Sequence, residues 1–112
     1  MASHTVRIGK SAVKSIKKLG VKDAYKVIEK LEVLENTPRP AGVEKLQQYP
    51  KFWRLRAGDF RIIYTIEGDD VIVLLVKHRR ESYRDLDKLG AILSQINLLE
   101  FPEQFPSGWA KH

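Results

Sequence analysis

An α+β fold is predicted from three features of the sequence. Two segments of helical period occupy the first third of the chain. Residues 52–83 alternate as strands punctuated by Gly58-Asp59 and Gly68-Asp69, and helical period returns after Glu81. The expected architecture is an N-terminal helical hairpin packed on a small antiparallel, twisted β-sheet, followed by a C-terminal helix and an aromatic tail.

His4 to Ile8 reads as a short strand, with Val6 and Ile8 facing the core. From Ser11, Ala12, Val13, Ile16 and Leu19 recur on one helical side, while Lys10, Lys14, Lys17 and Lys18 occupy much of the other. Gly20 ends this helix. A second helix is expected over 21–35, burying Ala24, Tyr25, Ile28, Leu31 and Leu34. The lysines fit either a solvated face or a docking surface for phosphates. Proline and glycine at 38–42 mark a loop, residues 43–49 suggest a short turn, and Pro50 stops any continuing helix.

The stretch from Phe52 to Tyr83 is the most informative. Alternation puts Arg54 and Arg56 on one face, with Trp53 and Leu55 on the other. A two-residue Gly58-Asp59 turn then sets Arg56 opposite Arg61, on the face away from Phe60, Ile62 and Tyr64. Like charges in directly opposed positions destabilise a sheet, so nearby acids or an external polyanion must offset them. The run 71–76 is almost wholly apolar, as in a strand covered on both faces. A Gly68-Asp69 turn sets Arg61 near Val76, with His78 on the same face. Beyond it, Leu86, Leu89, Ile96 and Leu99 form a helical stripe, and Phe101, Phe105 and Trp109 form the tail, which either packs on the body or covers the active face.

Composition narrows the function. The chain has 112 residues, a formal net charge of +6 and no cysteine, which removes disulfides, thiolate catalysis and Cys-based zinc sites. The excess charge lies in residues 1–51, with 11 basic and 5 acidic side chains, against 6 and 5 in 52–83. Basicity favours an anionic partner, nucleic acid foremost. No membrane span, secretory signal, phosphate-binding glycine loop or metal cluster is evident, so a cytoplasmic protein without cofactor or metal is expected. Asp69-Asp70 is explained by a turn, and His4, His78 and His112 are scattered. The positive signal fits phosphate chemistry: arginine forks hold nonbridging oxygens, a histidine or tyrosine moves a proton, and RNA supplies its own 2′-OH nucleophile.

Lys45-Leu46, W-R-L-R-A-G-D-F-R-I-I-Y at 53–64 and V-K-H-R-R-E-S-Y at 76–83 together resemble the RelE/ParE superfamily of small toxins, specifically its RelE-like branch. The resemblance covers roughly residues 3–95, giving a toxin domain at 1–99 and a tail at 100–112. It implies a helical hairpin on an antiparallel sheet. It also implies a toxin that enters the ribosomal A site and cuts mRNA by 2′-OH attack, leaving a 2′,3′-cyclic phosphate and a 5′-OH. A cognate antitoxin would wrap the toxin, and any contact with operator DNA would pass through that antitoxin.

By the same resemblance, Arg61 matches a phosphate-binding arginine, and Arg79 matches a second that stabilises the transition state or assists the leaving group. Arg80 is the alternative match. Tyr83 matches a tyrosine implicated in base stacking and 2′-OH activation. Arg54 and Arg56 stand where the best-studied enterobacterial member has lysines. Because arginine stays protonated, their expected role, like that of Lys45, is contact with RNA phosphates. His78 becomes the most readily tuned proton carrier, although the family does not require histidine there. Its plainer alternative is to cap the strand end. Arg61 has a structural alternative in pairing with Asp59 or Glu81, and Tyr83 in packing against the core. Competing functions are inhibition of DNA gyrase in the manner of ParE, or nucleic-acid binding without catalysis.

Overall fold

A computed structural model of the chain describes residues 4–47, 49 and 51–81 and the backbone of the strand Glu103–Gln104. Its elements are β1 (Thr5–Ile8), α1 (Lys10–Lys17), α2 (Val21–Asn36), β2 (Glu44–Lys45), β3 (Phe52–Ala57), β4 (Phe60–Glu67), β5 (Asp70–His78) and β6 (Glu103–Gln104). The fold is α+β, with strand order β2-β3-β4-β5-β1-β6. The expected C-terminal helix, Tyr83 and the aromatic residues of the tail lie outside the described residues.

The helical hairpin forms where the period placed it. Ala12, Val13 and Ile16 are buried on α1; Val27, Ile28, Leu31 and Leu34 are buried on α2. Gly20 is extended and receives the Ala24 N–H at 2.9 Å, so it opens α2 through its carbonyl rather than through a side chain. Asp23 adds a favourable negative charge to the first turn. Ala24 and Tyr25, expected in the core, are only half-buried. Val27 takes the inward position instead.

Both Gly-Asp turns close two-residue hairpins. Ala57 pairs with Phe60 and Glu67 with Asp70. Gly58 and Gly68 have φ of 60° and 59°, while no non-glycine residue among those described has positive φ. Glycine at the first central position is what this turn demands.

Three features depart from expectation. The sheet is mixed rather than antiparallel, because β1 runs parallel to β5 with Val6 opposite Val71. The Gly9 N–H donates to the Val73 carbonyl at 2.9 Å where the chain leaves β1 for α1, and α1 packs on β5. Strand direction here follows from where the helical hairpin begins, which no local pattern records. Residues 44–45 form an edge strand on β3 rather than a turn. Leu46 N–H donates to the Phe52 carbonyl at 3.0 Å, so the segment satisfies backbone groups that β3 would otherwise expose.

The third departure is a β-bulge. Tyr64 pairs with Val73 but Ile63 pairs with Leu75, leaving Leu74 as the additional residue in β5. Arg61 therefore lies opposite Lys77, not Val76, and His78 lies opposite Phe60. A one-residue slip exchanges the faces of every residue beyond it.

The core occupies both sides of the sheet. Leu55, Ile62, Tyr64, Val71, Val73 and Val76 meet the helices, while Phe52, Ile63, Ile72, Leu74 and Leu75 form a second buried cluster with Leu46. This two-sided burial matches the apolar run in β5. Tyr64 is fully buried, and its hydroxyl donates to the Pro38 carbonyl at 2.6 Å, tying the proline loop to the sheet. Burial pushes its phenol far above the ordinary range, with the Arg39 charge partly opposing that rise.

Candidate functional site

The face of the sheet away from the helices is basic at one end. Arg54 and Arg56 alternate with inward-facing Trp53, Leu55 and Ala57, and Arg56 stands directly opposite Arg61. The bulge adds Lys77 to this face beside Arg61. Three strands thus deliver Arg54, Arg56, Arg61 and Lys77 to one surface. Rigid strands hold such a constellation more closely than loops can.

The Gly58–Asp59 turn and the exit of β5 are joined into one rim. Arg79 N–H donates to the Asp59 carbonyl at 2.7 Å, and Arg79 Nε lies 3.7 Å from Asp59 Oδ1. Arg61 Nη1 donates to the Arg79 carbonyl at 3.3 Å, and Arg56 Nε donates to the Gly58 carbonyl at 3.3 Å. Lys77 Nζ lies 3.6 Å from Glu81 Oε2, with only 13% of the lysine side chain exposed. The acids suggested as partners for Arg61 are therefore engaged by neighbours: Asp59 by Arg79 and Glu81 by Lys77. The surface Arg79 pair is too exposed and too long to contribute much stability. Five basic side chains (Arg56, Arg61, Lys77, Arg79 and Arg80) surround two carboxylates, leaving the rim strongly positive.

Two expected members stand apart. His78 packs edge-on against Phe60, with ring centroids 5.2 Å apart. Its Nδ1 accepts the Arg80 N–H at 3.1 Å, as in the strand-capping alternative. The bulge accounts for its absence from the Arg56–Arg61 face. Lys45 lies opposite Trp53, with Nζ 5.6 Å from that ring, while Arg39 approaches the ring at 5.5 Å. Its neighbour Glu44 faces the other way and pairs with Arg54. Tyr83 lies outside the described residues.

Lys77 is the site residue that sequence reasoning missed. Its charge was visible, but its face depended on the bulge. The uninterrupted apolar run around Leu74 offers no alternation by which to detect a slip. Among the described residues, no three His, Asp or Glu side chains gather as metal ligands. The arrangement can hold phosphate oxygens and stabilise charge developing on them.

Comparison with known proteins agrees with this architecture. The family model described as "ParE toxin of type II toxin-antitoxin system, parDE" matches residues 6–83, well over half the chain. This chain belongs to the RelE/ParE superfamily of toxins. The candidate toxin RelE1 of Methanocaldococcus jannaschii is 32% identical over 80 residues, covering 68% of this chain and 89% of that protein.

RelE in the RelE–RelB complex of Pyrococcus horikoshii superposes with a TM-score of 0.63 at 28% identity, covering 71% of this chain and 99% of that one. The RelBE2 toxin–antitoxin complex of Mycobacterium tuberculosis gives a TM-score of 0.62 at 26% identity, covering 72% and 97%. The protein is thus a RelE/ParE-type toxin of a toxin–antitoxin system. Among the described residues, no helix is long and apolar enough to cross a membrane.

Proposed function

We propose that this RelE/ParE toxin is a ribosome-dependent endoribonuclease that cuts mRNA in the A site without a metal. The observation carrying this reading is the Arg56–Arg61 cross-strand pair with Lys77 beside Arg61. A sheet gains nothing from opposed like charges. Bound phosphates offset their repulsion and make use of their fixed geometry.

In this reading Arg61 and Arg56 hold nonbridging oxygens, with Arg54 and Lys77 extending the contact. The RNA 2′-oxygen attacks the adjacent phosphorus as the P–O5′ bond breaks. The 2′ proton leaves to a base and the departing 5′-oxygen gains a proton, giving a 2′,3′-cyclic phosphate and a 5′-OH. Arg79, at the rim, stabilises the charge on the transferring phosphoryl group; Arg80 is the alternative for that role. Tyr83 is the proposed group for base stacking and 2′-OH activation. His78 supports the rim through the Arg80 backbone, and Lys45 contacts RNA from the edge beside Trp53.

The decisive experiment supplies the toxin to programmed ribosomes with an empty A site and maps product termini. Cleavage within the A-site codon, leaving a cyclic phosphate and persisting in chelator, supports the proposal. Intact mRNA with folded, antitoxin-free toxin sinks it. Gyrase inhibition is the second reading, favoured by the ParE description of the matching family model. Relaxed DNA left unsupercoiled by gyrase in the presence of the toxin would favour it.

A further inference from the structure

The helical hairpin carries an apolar groove remote from the arginine face. It has a volume of about 330 Å³, with Ile16, Leu19, Val21, Tyr25 and Ile28 among its lining and Lys17 at its polar edge. Ile16 and Ile28 are buried and form its floor, whereas Val21 is 67% exposed. Val21, Tyr25 and Ile28 fall at helical spacing along α2, so the stripe continues the helix axis rather than forming an isolated hole. Around it the sequence places seven lysines between residues 10 and 30, against Asp23 and Glu29.

We propose that this groove docks a helical segment of the cognate antitoxin, with bulky apolar anchors at helical spacing flanked by Asp or Glu. The apolar floor selects the anchors, and the lysine surround selects acidic flanks. Helix-in-groove recognition combines these two features, with anchors supplying affinity and complementary charge assisting encounter. Solved relatives in the Pyrococcus and Mycobacterium complexes also occur with antitoxins. The inference rests on membership in the toxin family, not on the nuclease reading.

The test measures binding of full-length toxin to its purified cognate antitoxin. Val21→Asp places a negative charge in the groove and also in the first turn of α2, where the helix dipole tolerates it. Val33→Asp is the control, because Val33 is 39% exposed on the same helix but lies outside the groove. Val21→Asp weakens binding by about tenfold or more, Val33→Asp changes it by less than about twofold, and Lys22→Glu slows association at low salt.

Thermal melts verify that the variants remain folded, and Tyr25→Ser provides a second groove variant if Val21→Asp does not. Equal effects of Val21→Asp and Val33→Asp, or loss of ribosome binding with antitoxin affinity unchanged, overturn the proposal. A Val21→Asp toxin that still cuts mRNA but escapes neutralisation supports docking. Neutralisable toxin without cleavage counts against only the nuclease reading.

Discussion

Replacing Arg56 with Gln separates the folding role of the basic face from its binding role. Arg56 is exposed and directly opposite Arg61, in strands whose facing Cβ atoms lie about 5 Å apart. Like-charge pairs in this position destabilise a sheet by about 0.2–1 kcal/mol. The bond from Arg56 Nε to the Gly58 carbonyl is long and exposed, at 3.3 Å, so its loss offsets little of the relief. Arg56→Gln therefore stabilises the fold at low salt by about 0.2–1 kcal/mol. At about 4–8 °C per kcal/mol, the melting temperature rises by about 1–8 °C.

The difference between wild type and variant closes near 1 M salt, where screening falls to about 3 Å. Activity moves in the opposite direction. Losing one charge-assisted hydrogen bond to phosphate costs about 1.5–3 kcal/mol, or about 10- to 150-fold in kcat/KM. Denaturant titrations at low and high salt, paired with single-turnover cleavage on programmed ribosomes, give both readouts. A variant that loses stability at low salt and retains full cleavage would falsify the reasoning.

Three other perturbations test the scaffold and its rim. Tyr64→Phe removes the hydroxyl bond to the Pro38 carbonyl and lowers stability by about 0.5–1.5 kcal/mol. Because burial raises the folded-state Tyr64 pKa, its contribution is fully present below the unfolded pKa of about 10 and is lost as pH rises towards the folded value. Wild-type stability should consequently fall more steeply above that pH than Tyr64→Phe stability in urea titrations; parallel slopes would refute the assignment.

Ala at Gly58 or Gly68 enters a left-handed conformation at a cost of about 1–2 kcal/mol. Gly58→Ala also brings its Cβ within 2.9 Å of Lys26 Cδ, so melting should show a larger loss there, with the excess disappearing in Lys26→Ala. Glu44→Gln releases Arg54 from its exposed ion pair at a cost below about 1 kcal/mol. Fluorescence anisotropy should then report tighter single-stranded RNA binding, whereas weaker binding would remove Arg54 from the RNA surface.

Much of the scaffold was readable because its local signals agree. Gly58 and Gly68 supplied the conformations needed by two-residue turns, and alternation along β3 separated Arg54 and Arg56 from Trp53 and Leu55. Those signals fixed the cross-strand placement of Arg56 and Arg61. Ala24 and Tyr25 were less legible because residues on a helical stripe can face either the sheet or the neighbouring helix. The parallel pairing of β1 with β5 depends on the path of the intervening helical hairpin. Glu44 and Lys45 have no apolar alternation; their strand exists because β3 has an edge to satisfy.

The bulge at Leu74 explains why the site was harder to read than the fold. In a half-buried strand, inserting one residue would place a polar group inside or an apolar group outside, and the sequence would record the slip. Leu74 instead lies in the run Val71–Val76, where every residue is buried. Either register puts an apolar side chain against an apolar surface, so the hydrophobic pattern cannot distinguish them. The distinction emerges only beyond the run, at Lys77 and His78, where one residue reaches the arginine face and the next packs against Phe60. A basic face read from alternation alone therefore acquires the wrong last member even when both turns and both strands are correctly located.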